Sequence, residues 1–182
     1  MAVVNSVVFQ IAGFQNSGKT TFMNKLLGLL KERGLRVAAL KHHGHGGKPC
    51  VAEEKDSARH ISSGAVASLV EGGGRVLIQA EKSEWSFEEK LALLSPFQSD
   101  IILIEGHKYE DFPKAVLVRT CEELKKLSAL TNIQAIYYWD ADVPKELAEK
   151  DFPAFHIDDR KGLEWLVDYL EKKVREENND RC

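Results

Sequence analysis

The sequence predicts an α/β protein with a mostly parallel sheet flanked by helices. Three observations predict it. The apolar run Val7–Ala12 leads straight into the glycine-rich stretch Gly13–Thr20, and a segment of helical period follows. Strand-like and helix-like segments then alternate, the pattern of βα units. The stretches "DIILIEG" (100–106), "KAVLVRT" (114–120) and "IQAIYYW" (133–139) are apolar runs that read as buried strands.

In chain order, Val7–Ala12 is the first strand. Phe22, Met23, Leu26, Leu27 and Leu30 then fall on one helical stripe, and Gly34 ends that helix. Leu35–Leu40 is the second strand. Residues 44–55 are glycine-rich, then charged, and read as a loop; Asp56–Ser63 is a short helix closed by Gly64. Ala65–Val70 and Arg75–Ala80 flank "EGGG" as a β-hairpin. Ser86 with Glu89 forms a capping box for a helix striped by Phe87, Leu91 and Leu94. The three apolar strands come next, then Ala154–Ile157 as a short edge strand. A last helix runs from Lys161 to Glu176, with Leu163, Leu166, Val167, Leu170 and Val174 as its apolar face; the polar end "REENNDRC" should fray. The chain reads as a single domain, 1–182, with an inserted β segment at about 65–82.

Composition narrows the classes. At 43% hydrophobic and 29% charged the chain can bury a core. A net charge of −3 argues against nucleic-acid binding by broad positive charge. No apolar run approaches the roughly 18–20 residues that span a bilayer, and no signal-like leader is visible. Cys50, Cys121 and Cys182 are odd in number and far apart, which fits ordinary thiols in a reducing cytoplasm.

The stretch Gly13–Thr20 has the form G-x-x-x-x-G-K-T, placed between a strand and a helix. Glycines let the backbone wrap a phosphate, and N–H groups and the helix N-terminus supply partial positive charge. Lys19 reaches the β- and γ-phosphates, and Thr20 offers its hydroxyl to Mg²⁺. This predicts a P-loop NTPase fold with an extra β-hairpin. Asp100 and Glu105 lie at opposite ends of one strand, about 16 Å apart. The site belongs at the carboxyl end, so Glu105 is the metal-side carboxylate and Asp100 a solvated strand start. Lys41, His42 and His43 emerge at the same carboxyl edge. With His45 they suggest contact with a phosphate or other anion, a transition-metal site, or a solvated loop. Asp56 caps its helix or approaches the metal or an attacking water, and Arg59 is a surface residue or faces an anion.

These pieces resemble the molybdopterin-guanine dinucleotide biosynthesis protein B (MobB) family. The resemblance rests on "GFQNSGKTT", "LKHHGHG", "KDSARHISSGA" and "LIEGHKYEDFPK", over roughly residues 7–120. It implies a GTP-binding homodimer, with the extra β segment at the dimer interface. It also implies an accessory or adapter role beside a separate guanylyltransferase and other cofactor-maturation proteins, with weak GTPase activity at most. Gly13, Asn16, Ser17, Gly18, Lys19, Thr20 and Thr21 are then the nucleotide site. Lys19, Asp56 and Glu105 are the candidates for hydrolysis, and Thr20, Glu105 and Asp56 for Mg²⁺. Lys41, His42, His43, Arg59 and Lys108 are candidates for anion or cofactor contact, with molybdopterin a candidate ligand near Lys41 and Arg59. His107 stands where the family often has an aromatic.

Guanine specificity has no N-K-x-D or T-K-x-D segment here; "TNIQ" lacks the lysine and the aspartate. Asp140 and Asp142 either accept hydrogen bonds from guanine or shape a turn before Pro144. A small-molecule kinase on the same loop and a metallochaperone GTPase using the histidines remain alternatives.

Overall fold

The structure, a computed structural model, describes residues 6–43, 47–49, 56–127, 129–143 and 152–179. The chain forms two compact units, Met1–Gly44 with Leu91–Cys182, and His45–Lys90.

The first unit is built on a six-stranded sheet. Its strands are β1 (Val7–Gly13), β2 (Val37–Lys41), β5 (Ile101–Glu105), β6 (Lys114–Val118), β7 (Ile133–Tyr138) and β8 (Ala154–His156). The spatial order is β2-β5-β1-β6-β7-β8, and every neighbouring pair is parallel. β5 and β6 are buried along their whole length, as their apolar runs require. One face of the sheet carries α1 (Lys19–Glu32) and α5 (Arg160–Asn179). Phe9, Ile11, Phe22, Leu26, Leu166 and Leu170 pack there. Each such side chain contributes roughly 1.5–3 kcal/mol by leaving water. The other face carries α4 (Cys121–Lys126), over Ala12, Val116, Val118 and Ile136.

The second unit holds α2 (Asp56–Ser62) and the antiparallel hairpin of β3 (Ala67–Gly72) and β4 (Arg75–Ala80). Both hairpin faces keep apolar side chains in solvent, with Leu69, Leu77 and Ile78 each about 60% exposed. α3 (Phe87–Ala92) follows, opened by the Ser86–Glu89 capping box: the Glu89 N–H donates to Ser86 Oγ at 3.2 Å, and the Ser86 N–H donates to Glu89 Oε2 at 2.8 Å.

Several boundaries differ from expectation, each for a local reason. The second strand begins at Val37, because the Leu35 N–H closes α1 onto the Leu30 carbonyl and Arg36 is taken up by Asp100. That corrects Asp100 as well. Its Oδ2 accepts from the Arg36 N–H at 2.7 Å, so it ties the starts of β2 and β5 together. β3 runs two residues further than read, since Glu71 and Gly72 pair across to Val76 and Arg75. α3 ends before Leu94, where a 3₁₀ turn at Ser95–Phe97 takes over. The last helix continues to Asn179, supported by Lys173–Glu176 and Arg175–Glu171 pairs, rather than fraying at Glu176. α4 escapes periodicity altogether. It is set by Thr120, whose Oγ1 accepts from the Glu123 N–H at 3.3 Å, while Glu123 reaches back to the Arg119 N–H at 2.9 Å. His45, Cys50, Pro144 and Cys182 lie outside the described residues.

Candidate functional site

The chain leaves β1 at Gly13, the last residue of the strand, and re-enters regular structure at Lys19. Between them Asn16 and Gly18 take positive φ, +58° and +87°, which curls the backbone into a tight loop. Ser17 at its centre is wholly buried, and its N–H donates to the Phe14 carbonyl at 3.3 Å. Gly18 stands at the N-cap of α1 with no side-chain cap, and the helix has no acidic residue in its first turn. The positive end of the helix dipole is therefore not neutralised by its own sequence. Trp139, just past β7, braces the loop from one side. Its indole Nε1–H donates to the Ser17 carbonyl at 3.1 Å, and a Cβ on Gly18 would lie 3.0 Å from the indole ring.

Beside the loop, one carboxylate meets two donors. Glu105 ends β5, whose neighbours are β1 and β2, in register with Ile11 and Lys41. The Thr20 hydroxyl donates to Glu105 Oε1 at 2.6 Å. Lys41 Nζ donates to Thr20 Oγ1 at 2.9 Å and lies 3.0 Å from Glu105 Oε1. Lys19 folds back over the loop, its Nζ donating to the Phe14 carbonyl at 2.5 Å. Burial holds the Lys19 ammonium below the ordinary lysine pKa. Glu105 works against that, and the positive charges of Lys41 and Lys108 add to it. Lys41 pairs with the carboxylate, and Lys41 and Lys108 both bring positive charge to bear on Lys19, an arrangement suited to a polyanion. Thr20 Oγ1 and Glu105 Oε1 are hard oxygen donors already gathered around one cation, the Lys41 ammonium, and so fit Mg²⁺. They would hold it together with a nucleotide's phosphates.

The segment after Glu105 is pinned from beneath by two buried polar side chains. Gln10 Nε2 donates to the Gly106 carbonyl at 2.8 Å and to the His107 carbonyl. Lys114, wholly buried, donates to the carbonyls of Glu110 at 2.9 Å and Thr131 at 2.8 Å. His107 takes φ +50°, and its ring packs on His42 at 4.5 Å between centroids. Lys108 is held with its ammonium 4.2 Å from the centre of the Phe14 ring, a cation–π contact on the loop itself.

Lys19, Thr20, Lys41, His42, Glu105 and Lys108 thus come together within the first unit. Asp56 and Arg59 lie on α2 of the second unit. His43 is exposed past the end of β2. Asp140 Oδ1 accepts from the Asp142 N–H at 3.0 Å, the turn-forming arrangement, and both residues are exposed. Among the described residues, no group of three or more His, Cys, Asp or Glu side chains is placed to hold a metal ion. Sequence reading missed Trp139, Gln10 and Lys114 as parts of this site. The available signals were a tryptophan at the carboxyl end of a strand and single polar residues inside otherwise apolar strands.

The sheet order and the loop between β1 and α1 define a protein of P-loop NTPase architecture. The family model for Molybdopterin guanine dinucleotide synthesis protein B (MobB) matches residues 8–139, from β1 through Trp139. The chain is 37% identical over 164 residues to the probable molybdopterin-guanine dinucleotide biosynthesis adapter protein of Bacillus subtilis (strain 168), covering 90% of this chain and 92% of that protein. It is 30% identical over 172 residues to the molybdopterin-guanine dinucleotide biosynthesis adapter protein of Escherichia coli (strain K12), covering 89% and 92%. The crystal structure of Bacillus subtilis MobB matches the fold with a TM-score of 0.78 at 36% identity, over 89% of this chain and 96% of that one. The chain belongs to the MobB family.

Proposed function

We propose that this chain is a GTP-binding adapter in molybdopterin-guanine dinucleotide biosynthesis, working in the cytoplasm beside the guanylyltransferase that builds the dinucleotide. The accessory role in molybdenum cofactor biosynthesis is that of its family. The observation that carries the nucleotide reading is the meeting of Lys19, Thr20 and Glu105 at an uncapped helix N-terminus. Backbone N–H groups of the loop and Lys19 hold the β- and γ-phosphates. Mg²⁺, held by Thr20 and Glu105, supplies charge neutralisation there. What supports guanine is family membership; Asp140 and Asp142, exposed beyond Trp139, are the residues we assign to the base. Hydrolysis, with Glu105 orienting water, is slow.

The chain acts as a homodimer. The apolar side chains that β3 and β4 leave in solvent support this, since a hairpin of two strands with both faces apolar is stable only when another surface covers it. Light scattering on the eluting protein is expected to give the mass of two chains. Molybdopterin bound near Lys41, at the carboxyl edge of the sheet, completes the reading.

The test is reconstitution. Purified guanylyltransferase, molybdopterin and limiting GTP are combined with this chain or with Lys19→Ala. More guanine dinucleotide with the native chain, and no gain with Lys19→Ala, is expected. Equal yield in its absence contradicts an accessory role.

A further inference from the structure

Lys41 occupies an unusual place. It is the last residue of β2, directly across from Glu105 in the β2–β5 register. Its ammonium donates to Thr20 Oγ1 at 2.9 Å and stands 3.0 Å from Glu105 Oε1, while the Thr20 hydroxyl itself donates to that same Glu105 oxygen at 2.6 Å. One cation therefore engages both side-chain oxygens that would otherwise be offered to a divalent ion. Glu105 is nearly buried, with its side chain about 10% exposed, so an unpaired carboxylate there is costly. Lys41 is more than half exposed and its four-carbon stem is free to swing outward. A buried carboxylate is thus neutralised by a movable partner.

We infer that Lys41 stands in for the divalent cation in the nucleotide-free protein, and that Mg²⁺ arriving with a nucleotide must displace it. This rests on the nucleotide reading above and deepens it. Lys41 holds the Thr20–Glu105 pair assembled, which keeps the oxygens in place before the metal arrives, and it competes with the metal for them. Displacement then leaves a lysine ammonium at the carboxyl edge of the sheet, where it meets anions instead.

The competition has a defined sign. With Mg²⁺ present, removing Lys41 abolishes the displacement cost, so the Mg²⁺–nucleotide complex binds more favourably. Without Mg²⁺, removing Lys41 leaves Glu105 unpaired beside the phosphates, so nucleotide alone binds less well. The ratio of the Kd in EDTA to the Kd in excess Mg²⁺ therefore rises.

The experiment titrates N-methylanthraniloyl-GTP onto the full-length chain at fixed ionic strength, in Mg²⁺ and in EDTA, for the native protein, Lys41→Met and Lys41→Arg. Circular dichroism checks that each variant is folded. The expected result is a ratio about two- to fivefold larger for Lys41→Met, the range for a half-exposed ion pair, with Lys41→Arg returned toward native. A ratio unchanged or smaller in Lys41→Met overturns the stand-in role and makes Lys41 a plain phosphate contact. If the native chain binds the probe under neither condition, the nucleotide reading itself fails, and this inference fails with it.

Discussion

Gly13→Ala is the sharpest test of how the loop is built. A Cβ at position 13 would lie 2.7 Å from the Leu117 carbonyl oxygen and 2.7 Å from Ser17 Oγ, both inside van der Waals contact. Neither neighbour yields easily. Leu117 pairs with Gly13 in the β1–β6 register at the centre of the sheet, and Ser17 is wholly buried. Gly13 also holds φ +151°, which a side chain rarely adopts. Backbone strain of about 1–3 kcal/mol and a similar overpacking cost sum to about 3 kcal/mol once the loop relaxes partway. In a chain of this size that lowers Tm by about 6–12 °C. Relaxation moves the phosphate cradle itself, so nucleotide affinity falls with stability. The assay is thermal unfolding by circular dichroism alongside nucleotide titration. Gly28→Ala serves as the control: Gly28 sits exposed in α1 with nothing near its missing Cβ, and alanine there is expected to stabilise by roughly 0.5–1 kcal/mol. A Gly13→Ala protein melting within about 2 °C of native, at most about 1 kcal/mol for this chain length, would mean that position 13 accepts a side chain without strain.

Trp139→Phe removes the indole donor on the Ser17 carbonyl and is expected to cost about 0.5–1.5 kcal/mol of stability, with nucleotide affinity falling as the loop loosens; unchanged Tm and affinity would show that the brace is incidental. Lys19 gives a pH signature. Burial lowers its pKa in the free protein, and bound phosphates raise it again, so affinity is constant at lower pH and declines as pH rises through the free-protein value, below 10.5. Titration from neutral to about pH 10 checks this, and a flat profile contradicts it. Glu123 acts on the acid side. Burial pushes its carboxyl up, but hydrogen bonds from the Arg119 side chain and backbone outweigh that and hold it below 4.5. Its stabilisation is present above the unfolded value and lost as pH falls through the folded one. Glu123→Gln is expected to cost about 1–3 kcal/mol at neutral pH, with the gap to native closing in acid. A Tm gap independent of pH would contradict it.

Much of the architecture follows from patterns within short windows. The apolar strand before Gly13, the stripe Phe22–Met23–Leu26–Leu30 behind it and the buried runs of β5 and β6 each declare themselves by period and length. Glu105 was legible because a strand has two ends and ligands meet only one of them. What escaped depends on neighbours in space. Lys114 inside β6 looks out of place until the carbonyls of Glu110 and Thr131 close over its ammonium. Gln10 reads as a polar interruption of β1 until Gly106 and His107 come down onto it. Trp139 matters because β7 ends beside the loop, two strands from β1, which no local window reports. α4 spans six residues, too few for a hydrophobic period, and only the Thr120–Glu123 spacing hinted at it. Asp100 looked like a solvated end because its partner, the Arg36 N–H, arrives from the start of another strand.

In our proposal the Gly13–Thr20 loop holds a guanine nucleotide. The most direct measurement is displacement of a fluorescent GTP analogue by GTP and by ATP in the presence of Mg²⁺, repeated with Lys19→Ala. GTP displacing the probe far better than ATP, with binding lost in Lys19→Ala, is the predicted result. ATP displacing it as well as or better than GTP would rule out a guanine-selective loop, and Lys19→Ala binding like the native chain would move the nucleotide away from the loop.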